Sequence, residues 1–515
     1  MPEAGAIIAR AAHGGMQIGR RLATAAALLA FAVSPVQALP PDQESLDLIA
    51  QLEQLDERLQ SGTDTSNALL VAGAGVGDFA RPGAFGLVPP GPLRPPSQEP
   101  ADLIRMNTRL ALTSLAQAFG GDDNFAVMAA QDGAGTGVSQ ALAIRSGDAT
   151  LADLRAALGV AGQGPLVMRV PLVVLAGASL TLSPGDELWL SRIDGAFVVN
   201  FGDLFITGAT IASTLEPNLG AHPFRPFVTT TEGGTVTVRG ARFVGLGFGR
   251  TLKYSGFSIL RSILSAPERP SVIEDSTFQD LLTVAISGDT DVLLRGNRFR
   301  DMRSAALTVS RTRGARVLSN LFFGTMTTNA VRLQDGSADG VIAGNIILGG
   351  ERAGILVREH STGAVVANNV IWNRTGGGIT VLGADCGLVQ GNLVIANDQK
   401  GIEVRDALAA QVLGNTIFSN DSAGLWVSNQ PPGTQTVVED NVIAFNGAGV
   451  AGANTGRILM HGNDFSRQYQ QFLAGDLALQ TEVVARQMTG AVPYVIVSGI
   501  AMSPEEGAVP TNCPN

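Results

Sequence analysis

The chain has 515 residues, a formal net charge of −10, 45% hydrophobic residues, 63 glycines and 4 histidines. The acidic balance argues against a general nucleic-acid binder, which needs a basic surface to meet phosphate, and so few histidines leave few seats for imidazole chemistry. High glycine with 5% aromatics favours many tight turns over thick helical layers.

The first element is an export signal over 1–38. Arg20 and Arg21 precede the apolar run LATAAALLAFAV, and VQA stands before Leu39 as a cleavage region. The run is shorter than the roughly 18 to 20 residues a spanning helix needs, and no later stretch is longer. A periplasmic or secreted protein with no membrane span is expected. GRRLATAA also matches a twin-arginine leader, so the export route stays open. Cys386 and Cys513 could pair in such a compartment, and their spacing is not that of a metal site.

A helical, Pro/Gly-rich region is expected over 39–140. SLDLIAQLEQLDERLQ places Leu48, Leu52, Leu55 and Leu59 on one helical face, suited to packing on the rest of the domain. GAGVG at Gly73 and GAGTG at Gly133 do not complete G-x-G-x-x-G between a strand and a helix, so both are expected to be flexible loops. RPGAFGLVPPGPLRPPSQEP (81–100) reads as a linker, and a second helix is expected near 100–118. ALAIRSGDATLADLRAAL then gives a strand, a turn, and a helix with Thr150 and Asp153 at capping-box spacing.

The pattern becomes β-rich from about residue 165. Asn-x-apolar then recurs at Asn297, Asn320, Asn345, Asn369, Asn392, Asn415, Asn441 and Asn463, at intervals of about 21 to 26 residues. A second phrase, Gly-apolar-x-Val, interleaves at Gly354, Gly378, Gly401 and Gly424. A leucine-rich repeat has a similar period, but its L-x-x-L-x-L strand and helical return are missing. Each period therefore reads as one coil of an all-β solenoid, a right-handed parallel β-helix over 141–465, with the asparagines as an internal ladder. A helical cap over DFSRQYQQFLAGDLALQTEVVARQM, a closing strand PYVIVSG and a polar tail complete 466–515, because an open solenoid end is an unpaired edge.

The solenoid lacks the Asp-Asp pair and Gly-His-Gly of a polygalacturonase, and neither a metal nor another cofactor is expected. Of the histidines, His13 lies in the signal, His222 in a loop and His461 beside the ladder. Only His360 has ionisable neighbours, Arg358 and Glu359, in a column with Gln334 and Asp335 before it and Arg405 and Asp406 after it. That group is either a solvated turn or an acid/base pair beside an arginine that neutralises a substrate carboxylate. RGNRFRDMRSAALTVSRTRGARVLSN (295–320) carries seven arginines against one carboxylate. Charged side chains in a solenoid must point outward, so Arg298, Arg311, Arg313 and Arg332 are expected to line up along a groove for an acidic polymer.

ALAIRSGDATLADLRAAL, VPLVVLAGASLTL, GAFVVNFGDLFITGATI, RPFVTTTEGGTVTVRGARFVGLG and KYSGFSI occur in that order before the asparagine coils. Together they resemble the periplasmic mannuronan C5-epimerases of the alginate export pathway, over roughly residues 140 to 470. The resemblance implies a right-handed β-helix with a polysaccharide groove, a cation that offsets the uronate carboxylate, removal of the proton at C5, and reprotonation from the opposite face. It also implies a catalytic Asp-Pro-His-Asp phrase, where this chain reads Leu307-Thr308-Val309-Ser310-Arg311. The family's next coil has Ser-Arg-Glu, where this chain has Leu333-Gln334-Asp335. Lys253 and Gly256 match a Lys-Tyr-Gly phrase with Tyr254 shifted by one, which places Lys253 and Tyr254 among the expected polysaccharide contacts.

The leading expectation is an exported protein that binds an acidic uronate exopolysaccharide, with the usual epimerase chemistry impaired. An active C5-epimerase or uronate lyase with a relocated centre at Arg358, Glu359 and His360 is the first alternative. A scaffold subunit contacting exopolysaccharide export proteins is the second.

Overall fold

The structure is a computed structural model that describes residues 42–62, 73–86, 99–133, 140–215, 224–262, 269–482, 494–497, 500–502 and 513. The expected signal, most of the 81–100 linker, GAGTG beyond Gly133, and His222 lie outside these residues. No helix among the described residues is long and apolar enough to cross a membrane.

Three long sheets of 15, 12 and 15 strands wrap one core, and consecutive strands of the chain fall on different sheets, so each sheet gains one parallel strand per coil. The period-two pattern of each short strand sends one set of side chains inward and the other out. Residues three strands apart in the chain therefore become neighbours: Phe243, Phe278, Phe299 and Phe322 stack inside with centroids 4.6–5.2 Å apart. The eight asparagines form the expected column, all buried, with each Nδ2 donating to the next Oδ1 at 2.8–3.0 Å. The same Nδ2 group also donates to a backbone carbonyl, as Asn392 does to Val366, so the polar rung costs the core no unpaired donor.

Helices decide which sheet faces stay open. Helix α1 (Gln43–Gln60) starts at the cap Asp42, which accepts from Ser45 N, and buries Leu52, Leu55 and Leu59. These leucines pack with Val76 on the outer face of the 12-stranded sheet, over Phe323, Ile346, Trp372 and Phe418. Val76 belongs to helix α2 (Gly73–Phe79), so GAGVG is a helix and not a loop. Burial of Val76 beneath α1 outweighs the low helix propensity of its glycines.

The expected helix near 100–118 is half strand. Asp102–Asn107 pairs antiparallel with Gln140–Ser146, and only then does α3 (Thr108–Phe119) begin, followed by α4 (Asn124–Gly133). Leu112 and Leu115 of α3 and Val127 of α4 cover Phe197, Val199, Phe227 and Tyr254 on the first coils of the sheet that begins with Asp102–Asn107, called here the groove sheet. Helix α5 (Leu151–Leu158) carries the expected capping box.

At the other end the expected helical cap is not an α-helix before Thr481, and its last residues, 483–488, lie outside the described residues. Gln468 closes an amide column, Leu473–Gly475 adds a strand to the groove sheet, and Ala478–Gln480 is a single 3₁₀ turn. Phe465 and Leu473 of this stretch join the buried core at the last coil. Tyr494–Val497 closes another sheet antiparallel. Cys386 and Cys513 form a disulfide across 127 residues, with Cα atoms 5.7 Å apart.

Candidate functional site

Past the coils that α3 and α4 cover, no helix among the described residues lies on the outer face of the groove sheet. One outward row runs Thr308, Arg332, Leu356, Thr380, Glu403 and Trp426, one residue per coil. The row beside it runs Ser310 to Gln334, then Arg358, Leu382 and Arg405, with Arg358 Nη2 donating to Gln334 Oε1 at 3.2 Å. Turns entering the sheet bring Arg352 and Lys400 to its near edge. Of these, Arg332, Leu356, Thr380, Glu403 and Arg358, with Arg352 and Lys400, line a cleft of about 480 Å³ that includes Thr328, Asn329, Gly376 and Gly377.

Cations dominate the cleft, with Arg332, Arg352, Arg358 and Lys400 against the single carboxylate of Glu403. Arg332 is half-buried, and burial and then the charges of Arg358 and Arg352 push its guanidinium below the usual arginine range. Its Nη2 reaches Asn329 Oδ1 at 3.2 Å, but its Nε is buried without a hydrogen-bond partner. A buried donor left unpaired costs about 1–3 kcal/mol, and like-charged neighbours add to that cost. Lys400 is held by Glu403 at 2.7 Å and sits over the Trp426 ring. A larger and more apolar hollow of about 680 Å³ lies between α3 and the first coils, with Asp203, Glu232 and Arg269 at its rim and none of these arginines.

Glu359 and His360 follow Arg358 in an exposed turn, both in the left-handed backbone region. Glu359 pairs with Arg358 at 3.3 Å. A hydrogen bond with Asp335, one coil back, raises its carboxyl above the usual range, and Arg358 opposes that shift. The structure thus joins Arg332, Arg358, Glu359 and Asp335 in one network, with His360 at its margin.

The four arginines expected in one row are not together. Arg332 is in the cleft and Arg311 lies at the far edge of the same sheet, donating to Ser287 Oγ at 2.9 Å. Arg313 has passed into the next turn and pairs with Asp339 at 3.0 Å, while Arg298 lies on the 12-stranded sheet. The arginine-rich stretch is longer than one coil, so it must travel round the whole circumference. Its charges are also largely matched: Arg295 by Glu274, Arg300 by Asp301, Arg303 by Asp280.

Lys253 and Tyr254 do not face the groove either. They are 1% and 0% exposed, Lys253 Nζ donates to Asn124 Oδ1 at 2.9 Å and to Gly120 O, and the Tyr254 hydroxyl bonds the same Asn124. They fasten α4 to the coil. Sequence reasoning overlooked Arg352 and Lys400, although a signal existed: each stands just before a Gly-apolar-x-Val phrase, in ERAGILV and DQKGIEV.

Among the described residues, no three His, Cys, Asp or Glu side chains come together to hold a metal ion. Residues 251–394 match the family described as "Right handed beta helix region", and 360–476 match "Periplasmic copper-binding protein (NosD)". A mannuronan C5-epimerase of Pseudomonas syringae pv. tomato is 26% identical over 289 residues, which is 52% of this chain and 53% of that protein. The mannuronan C5-epimerase AlgG of Azotobacter vinelandii is 36% identical over 153 residues, 27% of this chain and 29% of its own. The first of these shows that the chain spans about half the length of the relatives it matches. The crystal structure of the periplasmic alginate epimerase AlgG superposes with a TM-score of 0.59 at 22% identity, covering 73% of this chain and 93% of the other. Over about half its length the sequence is similar to the mannuronan C5-epimerases, and the fold is the right-handed parallel β-helix of the periplasmic alginate epimerase.

Proposed function

We propose that this chain is an exported, periplasmic protein that binds an acidic uronate polysaccharide along the groove sheet, and that the family's usual proton-transfer chemistry is impaired in it. The observation that carries the proposal is the convergence of Arg332, Arg352 and Arg358 on one cleft, with a buried Nε still unpaired. Guanidinium groups match a carboxylate in a planar, two-bond geometry. Coils repeat every ~4.8 Å, close to the rise of one sugar in an extended chain, so successive carboxylates can meet successive coils. Arg311 would extend the wall beyond the cleft. The coil where relatives of this family are expected to carry their acid and base offers Thr308, Ser310 and Arg311, none of which is a base at neutral pH.

Titration of oligomannuronates into the wild type and an Arg332/Arg352/Arg358→Ala variant, at low and high salt, tests this. Affinity should fall steeply with salt in the wild type and be lost in the variant. Equal affinity in both proteins, or no binding by either, would overturn the proposal, and the second result would favour a scaffold role beside export proteins.

The place of Glu359 beside Arg358, with its carboxyl raised by the neighbouring Asp335, favours a second reading, in which a relocated acid/base centre uses Glu359 and His360 with Arg358 holding the carboxylate. Incubation with polymannuronate in deuterated water separates the two. Deuterium at C5 that disappears in His360→Ala would establish relocation, and no exchange would leave binding alone.

A further inference from the structure

A buried charge stands behind the cleft wall. Arg374 follows the strand Val370–Trp372, and its side chain is 0% exposed. A second amide column, Gln468, Asn446, Asn420 and Asn397, runs up this corner of the solenoid and ends on the Arg374 backbone N–H, which donates to Asn397 Oδ1 at 3.0 Å. At the next place in the column the amide is therefore replaced by a guanidinium. One coil further stands Gly350 (φ +90°), where a Cβ would collide with that guanidinium.

The longer side chain spans more coils than an amide does. Nε donates to Arg352 O at 3.1 Å, Nη2 to Thr328 O at 2.6 Å and to Glu351 O, and Nη1 to Gly349 O. Every one of these acceptors is a backbone carbonyl. Two of them belong to Thr328 and Arg352, which line the cleft, and Gly376 and Gly377 of the same wall follow Arg374 in the chain. Burial pushes this guanidinium down to about 9, which leaves it charged at neutral pH. A cation without a carboxylate among its hydrogen-bond partners, buried in a medium of low dielectric, acts on its surroundings more strongly than an exposed one.

We propose that Arg374 is the positioning residue of the cleft: it ties together the turns that present Thr328 and Arg352, and its charge draws an anion toward the wall from behind. This rests on the reading of the cleft as a polyuronate site. Arg374 touches no ligand itself. Salt screens exposed charges far more than buried ones, so the two kinds of arginine leave different marks on binding.

Oligomannuronate affinity, measured across a salt series for the wild type, Arg352→Ala, Arg374→Met and Arg374→Lys, tests the proposal. Arg352→Ala should weaken binding at low salt and flatten the salt dependence. Arg374→Met should weaken binding by about tenfold at every salt, leaving the slope unchanged, since it removes several charge-assisted hydrogen bonds behind the wall. Arg374→Lys keeps the charge but cannot span four carbonyls, so it should shift affinity in parallel by a smaller factor. If Arg374→Met does not fold, the lysine variant decides by the same criterion. A lowered melting temperature with wild-type affinity in the folded Arg374 variants would make the residue merely structural and overturn the proposal. Absence of binding by the wild type would sink the polyuronate reading as well, whereas wild-type binding with unchanged variants would sink only the role of Arg374.

Discussion

Replacing Asn392 by alanine removes one rung from the middle of the asparagine ladder. The side chain is 0% exposed and makes four hydrogen bonds: Nδ2 donates to Asn415 Oδ1 and Val366 O, and Oδ1 accepts from the N and Nδ2 of Asn369, all at 2.9 Å. Asn415 Oδ1 keeps the Asn392 backbone N–H after the substitution, so the acceptor side is only weakened. The Asn369 backbone N–H is orphaned, and the Asn369 Nδ2 group loses one of its two acceptors while keeping Ile342 O. A buried orphan costs about 1–3 kcal/mol and a lost hydrogen bond about 0.5–1.5 kcal/mol, which puts the loss at roughly 1.5 to 4.5 kcal/mol. The loss is local, since each coil contacts mainly its neighbours. Hydrogen exchange followed by mass spectrometry should show protection falling around 365–372 and 388–395 while the first coils keep theirs, and the melting temperature should drop. Asn369→Ala combined with Asn392→Ala should cost less than the two single changes added, because the first removes the Nδ2 group that the second deprives of an acceptor. Unchanged exchange and melting in Asn392→Ala would refute the ladder as a source of stability.

Other consequences can be measured on the same protein. The hydrogen bond from Ser45 and then the Arg467 guanidinium hold the Asp42 carboxyl down to about 2, from an ordinary 3.8. Its contribution to folding is therefore complete above the unfolded value and lost as pH falls through about 2; exchange of residues 43–60 should rise in that window before the coils open, and simultaneous opening would contradict the capping role. Glu359 titrates at a raised value, so lowering the pH through that titration removes a negative charge from beside the cleft arginine Arg358 and should strengthen oligouronate binding until the uronates themselves protonate. A steady decline over the whole range would count against any influence of Glu359 on the cleft. Lys253→Met should destabilise the protein by about 1–3 kcal/mol while leaving oligouronate affinity intact, because the ammonium holds α4 and not a ligand; lost affinity in a folded variant would return Lys253 to the groove. Cys386→Ser should cost about 2–5 kcal/mol in thermal or denaturant unfolding, since the bridge closes a long loop, and an unchanged transition would show that the tail is held by other contacts.

The coil and its contents could be read from the chain because they depend on local repetition. A fixed interval between asparagines brings them into one column whatever the rest of the fold does, and the interleaved glycine phrase fixes the strand register. The stripe of Leu52, Leu55 and Leu59 likewise implied a covering helix. What covers what was not local. GAGVG became helical only because Val76 found α1 and the 12-stranded sheet, and Lys253 left the groove only because α4 came down on it. The arginines show the difference most clearly. A run longer than one coil looks like a patch in sequence, yet winding distributes it over all faces and sets most of its members against carboxylates, while Arg332, Arg352 and Arg358, spread over 27 residues of chain, meet on one. Periodicity in the sequence determined the winding; the charge of each face was decided by which turns the winding stacked, and by the helices that left one face open.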